Sequence, residues 1–238
     1  MNIPLSDYTA HVSDIGNGFP LIMLHGNGEN LYLFNKQIEY FSTYYRVIAV
    51  DTRGHGKSTR GNKKLDFNTL SNDVIDLLDF LSIDSAYFLG FSDGGNTLLY
   101  LALKAPQRIS SMILVGANLF PSGMKNIDLF QTGFTYAKLS MKSLIDKESH
   151  KEKEYYKLML RHPNLSFSMV SDIDIPTLVI AGSNDVIKEK HTRGIAEVIK
   201  GARLEIIPDG SHFVLFEQPD FTNQLIMDFL RKSDRSIS

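Results

Sequence analysis

The chain has 238 residues, 43% hydrophobic and 22% charged, with Lys+Arg 25 against Asp+Glu 27 and a formal net charge of −2. At roughly 150 residues per domain, that is one large α/β domain with an insertion, long enough to bury a core without staples. The absence of cysteine excludes disulfide scaffolds, thiolate zinc sites, iron–sulfur clusters and cysteine nucleophiles, and the balanced charge supplies no global field for nucleic acid or an anionic membrane.

The N-terminal stretch 1–16 carries Pro4, Asp7 and His11 and lacks the basic start and apolar centre of a signal peptide. No apolar run approaches the roughly 18 residues of a membrane span. A soluble, cytoplasmic protein is therefore expected. Strands are predicted at 8–15 and 20–25, flanking Gly16-Asn17-Gly18, whose Asn-Gly step suits a hairpin. Further strands are predicted at 46–50, 86–90, 112–116, 177–181 and 203–207. Each is a nearly continuous apolar run, the pattern of a strand buried on both faces. Helices are predicted at 66–81, where Leu70, Val74, Leu77, Leu78 and Leu81 fall at helical spacing, and at 95–104, ending before Ala105-Pro106. Two more follow at 188–200 and 220–231. This alternation predicts an α/β fold, a mostly parallel sheet covered on both sides.

The rhythm breaks between Gly116 and Thr177, about 60 residues without a clear strand. Ile127, Phe130, Phe134, Met141, Leu144 and Ile145 recur at roughly helical spacing, and 146–161 is a second, highly charged helix candidate with a solvated face over 146–154. An ordinary pair of packed helices is one reading; a connection this long in a compact domain is more often a lid. The expected organisation is a core of 1–116 and 173–238 with a helical insertion at 117–172. The polar tail 231–238 is expected to fray.

The most informative segment is Gly90-Phe91-Ser92-Asp93-Gly94, directly after a predicted strand and before a predicted helix. A turn tight enough to lift one side chain clear of a sheet crowds the backbone, so the flanking positions need residues without Cβ. Ser92 is the candidate nucleophile. A serine hydroxyl needs a base, and the base needs an orienting group. Of seven histidines, His212 lies in a loop between the last strand and the last helix. Asp185 follows the strand at 177–181, where it serves either as the orienting carboxylate or as a helix N-cap. An oxyanion needs two N–H donors; the amides of Asp93 and of Asn27, in His25-Gly26-Asn27-Gly28, are the candidates. His25 is read as bonding within its loop. The Asp93 carboxylate either faces the pocket, attracting a substrate ammonium, or favours the helix start. Phe91, Phe130 and Phe134, with Asp93, are the candidate substrate-binding residues. The aromatic and methionine side chains at Phe130, Phe134, Tyr136 and Met141 suggest an apolar acyl or aryl group or, alternatively, the core of the lid itself.

Together, 25–28, Asp51-Thr52-Arg53-Gly54-His55-Gly56-Lys57-Ser58, the 90–95 elbow, Asp185 and Gly210-Ser211-His212 resemble the α/β-hydrolase superfamily, closest to small bacterial carboxylesterase-like members. The elbow also resembles valacyclovir-hydrolase-like enzymes. The resemblance implies an eight-stranded, mostly parallel sheet, a Ser–His–Asp triad and a cap after the sixth strand, here a short one. Other chemistries lack their residues. A P-loop ending at Gly56-Lys57-Ser58 needs glycine where Asp51 stands, and after Gly26 and Gly28 no third glycine completes a dinucleotide fingerprint. Related dehalogenases and epoxide hydrolases use aspartate where Ser92 stands. No metal ligand cluster is visible. The expectation is a serine hydrolase of carboxylic esters without a cofactor, with thioesterase or carbon–carbon bond hydrolase as alternatives. A ligand-binding, receptor-like protein with very slow turnover is the rival from another class. The expected partner is a small-molecule ester or thioester, with no nucleic acid and no membrane; monomer and dimer are both open.

Overall fold

The computed structural model describes residues 1–234, so the end of the predicted fraying tail, 235–238, lies outside the described residues. Eight strands form one sheet: β1 (Asn2–Pro4), β2 (Thr9–Ile15), β3 (Pro20–Leu24), β4 (Arg46–Asp51), β5 (Ala86–Phe91), β6 (Ile109–Val115), β7 (Thr177–Gly182) and β8 (Arg203–Ile207). Their spatial order is β1-β2-β4-β3-β5-β6-β7-β8. β2 runs antiparallel to β1 and β4, and every other pairing is parallel. Every residue of β5 and of β7 is buried, which is why those segments read as unbroken apolar runs. Each fully buried large apolar side chain there is worth about 1.5–3 kcal/mol.

Helices cover both faces. α2 (Phe67–Phe80), α3 (Asp93–Lys104) and α7 (Glu189–Val198) pack on one side, where Val74, Leu77, Leu98 and Ile195 join Ile22, Ile48 and Phe88. α1 (Asn35–Phe41), α8 (Val214–Glu217) and α9 (Pro219–Asp234) cover the other, where Ile38, Phe41, Val214 and Ile226 meet Leu21, Leu89 and Ile113. α2 begins where Asp66 accepts from the Thr69 N–H at 2.9 Å, a side-chain N-cap. Among the described residues no helix is long and apolar enough to cross a membrane.

The predicted hairpin at Gly16-Asn17-Gly18 is not formed. The chain does reverse there, with φ of 88° at Gly16 and 99° at Gly18, but β4 lies between β2 and β3. A Cβ at Gly16 would sit 2.4 Å from the Tyr45 carbonyl and 2.5 Å from that of Ser42. The turn thus wraps against the segment that leads into β4, and this contact brings β4 into the gap. The edge strand β1 and helix α1 had no prediction; both are short.

Between β6 and β7 the insertion folds as α4 (Asn126–Lys142), α5 (Lys147–Arg161) and α6 (Phe167–Val170). α4 and α5 pack against each other. Only Thr132 and Leu139 of α4 are buried, so most of this helix faces solvent or the cavity described next.

Candidate active site

Four loops converge at the C-terminal edge of the sheet: those after β3, β5, β7 and β8. Ser92, after β5, has φ 52° and ψ −117°, a strained conformation for a residue with a side chain. Its surroundings explain both glycines of the motif. A Cβ on Gly94 would lie 2.0 Å from the Leu24 carbonyl oxygen, and one on Gly90 would lie 2.6 Å from the Gly94 backbone. The elbow is held from the other side by the Ser92 N–H, which donates to the Val115 carbonyl at 2.7 Å.

The structure brings the three residues singled out in the sequence into one hydrogen-bonded chain. His212 Nδ1 lies 2.7 Å from Asp185 Oδ1, and His212 Nε2 lies 3.1 Å from Ser92 Oγ. With the proton on Nδ1 donated to the carboxylate, Nε2 is free to accept from the serine hydroxyl. Asp185 is 2% exposed, and its Oδ1 also accepts from the Ile187 N–H at 2.8 Å. Asp185 is not the N-cap of α7; that position belongs to Lys188. Its role is to hold the turn after β7 and the imidazole together.

On the far side of Ser92, the Asp93 N–H opens α3 and so has no helical acceptor. Asn27, after β3, is fixed at its side chain: Nδ2 donates to the Tyr155 carbonyl of α5 at 2.9 Å, and Oδ1 lies 3.4 Å from His55 Nε2. The His55 ring stacks on Tyr155 with centroids 4.2 Å apart, and the Tyr155 hydroxyl donates to the Gly54 carbonyl at 2.6 Å. Burial, then the neighbouring His25, pushes His55 down to about 3, so this support is a neutral imidazole. His25 bonds locally, through Nδ1 to the Gly26 carbonyl at 2.7 Å and Nε2 to the Thr52 N–H at 3.0 Å. Asp51, the residue that breaks the P-loop pattern, accepts from the N–H groups of Leu31 and Lys57 at 2.7 and 2.8 Å. It ties the two loops to each other.

Two carboxyl groups flank the serine. Asp93 Oδ1 accepts from Asn96 Nδ2 at 3.0 Å, while Oδ2 is buried without a hydrogen-bond partner. Burial pushes this carboxyl up to about 6, against the lowering effects of Asn96 and His212. Glu29 was not anticipated, although it stands directly after Gly28. Burial pushes it up to about 7, opposed by the Gly26 N–H and His212 and reinforced by Asp93. Its Oε2 is likewise unpartnered.

A cavity of about 410 Å³ opens at Ser92 and His212. Phe91 lines it as expected, its ring 5.0 Å from that of His212. Phe130 and Phe134 do not line it: they are 72% and 67% exposed and point away. α4 instead turns Asp128, Gln131, Thr132 and Thr135 toward the cavity, and α5 adds Tyr155, Tyr156 and Met159. Tyr136 is absent from this lining, and Met141 is 76% exposed, so the apolar lining inferred from these aromatic and methionine residues is not found. Periodicity identified an amphipathic helix correctly but could not say which face meets the body. Among the described residues no lysine or arginine lines the cavity, whereas Glu29 and Asp128 do.

Comparison with known proteins gives a consistent result. A family model described as the alpha/beta hydrolase fold matches residues 20–137. The chain is 29% identical, over 90% of its length, to the dihydrolipoyllysine-residue acetyltransferase component of the acetoin cleaving system of Pseudomonas putida, and it spans 64% of that relative. It is 28% identical to the AB hydrolase superfamily protein YisY of Bacillus subtilis, covering 93% of this chain and 95% of the relative. Among solved structures, a meta-cleavage product hydrolase from Pseudomonas fluorescens superposes with a TM-score of 0.80 at 23% identity, covering 98% of each chain; at that identity the likeness is one of fold. The sheet order, the strained serine turn and these matches agree, and the chain belongs to the α/β-hydrolase superfamily.

Proposed function

We propose that this α/β hydrolase is a cytoplasmic serine hydrolase that cleaves carboxylic esters through an acyl-enzyme. The observation that carries this reading is the chain Asp185 Oδ1–His212–Ser92 Oγ, at 2.7 and 3.1 Å. In it, Ser92 Oγ attacks the ester carbonyl while His212 Nε2 takes the hydroxyl proton. The tetrahedral oxyanion is held by the amides of Asn27 and Asp93. His212 returns the proton to the departing alcohol, leaving the acyl group on Ser92. Water then attacks the acyl-enzyme with His212 again as base, and the carboxylic acid leaves. Asp185 fixes the imidazole tautomer and orientation throughout. No step calls for a cofactor.

The insertion 117–172 is read as a cap, since α4 and α5 supply one wall of the cavity. Glu29 and Asp128, which line the cavity with no facing lysine or arginine among the described residues, favour neutral or cationic esters over acyl groups bearing a carboxylate. The Asp93 carboxyl is buried against Asn96 and does not line this cavity. Of its two readings the one that favours the start of α3 is therefore kept, and the ammonium contact passes to Asp128 and Glu29.

The test is steady-state hydrolysis of p-nitrophenyl esters of increasing acyl length, together with an aminoacyl ester, an ester with a terminal carboxylate and one acyl-CoA, beside a Ser92→Ala control. Turnover on the order of 1 s⁻¹ or more, lost in the control, supports the reading. Folded protein without Ser92-dependent turnover on any of them contradicts it and returns weight to a ligand-binding role.

A further inference from the structure

α4 is amphipathic in an unusual sense, with its polar side on the cavity and its apolar side on solvent. Ile127, Phe130, Phe134, Ala137, Met141 and Leu144 follow one another at alternating intervals of three and four, the a/d spacing of a coiled-coil seam. Thr132 and Leu139, the buried residues of α4, occupy the position opposite that seam. The seam continues past the helix end into the turn, where the Leu144 N–H still donates to the Met141 carbonyl. Its large members and Ile145 are 61–92% exposed.

We propose that this seam is a homodimer interface, in which α4 pairs antiparallel with α4 of a second copy of this chain. Area is the first argument. At about 200 Å² for a large apolar side chain and exposures of 61–84%, the five large residues of the seam present on the order of 700 Å² per copy. That exceeds the roughly 300–600 Å² of the largest patch on a typical monomer and approaches the roughly 800 Å² per partner of a stable interface.

Self-complementarity is the second argument. A two-fold axis near residues 135–136 sets Ile127 against Leu144 of the second copy, Phe130 against Met141 and Phe134 against Ala137, and repeats each contact in reverse, as an isologous interface requires. Each ring then meets a small or flexible side chain. A parallel pairing would stack Phe130 on Phe130 and leave Ala137 facing Ala137. On the flanks, Lys138 meets Gln131 and Gly133 meets Ser140, so no like charges oppose one another.

Sedimentation of the full chain from low- to high-micromolar concentration tests this, with Phe130→Glu and Met141→Lys as variants. The wild type is expected at twice the chain mass and each variant at the monomer mass. Mixing the two variants should restore the dimer, because only the antiparallel register puts the new carboxylate against the new ammonium. Both side chains are exposed and outside the cavity, so unchanged melting temperature and unchanged Ser92-dependent turnover show that the variants are folded. A wild type that stays monomeric overturns the proposal, as do variants that remain dimeric or a mixture that does not re-associate. A monomer that instead co-sediments with phosphatidylcholine vesicles overturns it too, and assigns the seam to a lipid surface.

Discussion

Replacing Asp93 with asparagine tests whether a buried, half-satisfied carboxyl is held beside Ser92 at a cost to stability. The folded-state value is raised from 3.8 to about 6, chiefly by burial. A raised value means the folded protein binds the proton more tightly than the unfolded chain. The stability this provides is complete below about pH 4 and is lost as pH rises through 6. From 3.8 to about 6, at about 1.4 kcal/mol per pH unit, the loss is about 3 kcal/mol. The asparagine of the variant does not titrate. Its own buried amide adds an offset, but that offset does not depend on pH. Urea unfolding of the wild type and Asp93→Asn at pH 4 and pH 7.5 should therefore show the variant gaining about 2 kcal/mol relative to the wild type between the two, part of the full loss having already occurred by pH 4. A difference that stays flat with pH refutes the reasoning. Kinetics supply a second arm: with its carboxyl buried against Asn96 and outside the cavity lining, Asp93→Asn is expected to affect KM for an aminoacyl ester and a neutral ester alike, and a rise confined to the aminoacyl ester would contradict that placement.

Three further predictions address the frame around the Asp185–His212–Ser92 chain. Gly94→Ala drives a Cβ to 2.0 Å from the Leu24 carbonyl and is expected to cost at least about 3 kcal/mol, read as a fall in the urea midpoint; a neutral result would mean the elbow is slack. Asn27→Ala keeps the backbone amide but removes the tie to Tyr155 and His55, and kcat should fall about tenfold with KM little changed. Arg53 is fully buried and pairs with Asp73 at 2.7 Å, so Arg53→Met should destabilise by about 3–5 kcal/mol, measured by denaturant unfolding.

The parts of the molecule legible in the sequence are those fixed by local sterics or by burial on both faces. Gly90 and Gly94 announce the elbow because a Cβ at either meets backbone. Strands such as Thr177–Gly182 announce themselves because no residue in them touches water. Asp185 and His212 could be found because each stands just past a strand end at the same edge. What was hidden depends on distant partners. Gly16-Asn17-Gly18 marks a reversal but not which strand fills the gap, and that is decided by the 42–45 segment packed against it. The stripe on α4 marks two faces but not which one the body receives, and the polar one was chosen. Glu29 gave no signal beyond its place after Gly28, because its raised value arises from burial by the folded loop.

The most direct measurement for the central claim is the mass of the intact protein, quenched during turnover of a slowly deacylated ester, followed by peptide mapping. Acylation by way of Ser92 predicts a mass increase equal to the acyl group, confined to the peptide containing Ser92 and absent from Ser92→Ala. Sustained turnover with no adduct, and a Ser92→Ala protein that hydrolyses the ester as fast as the wild type, would contradict it.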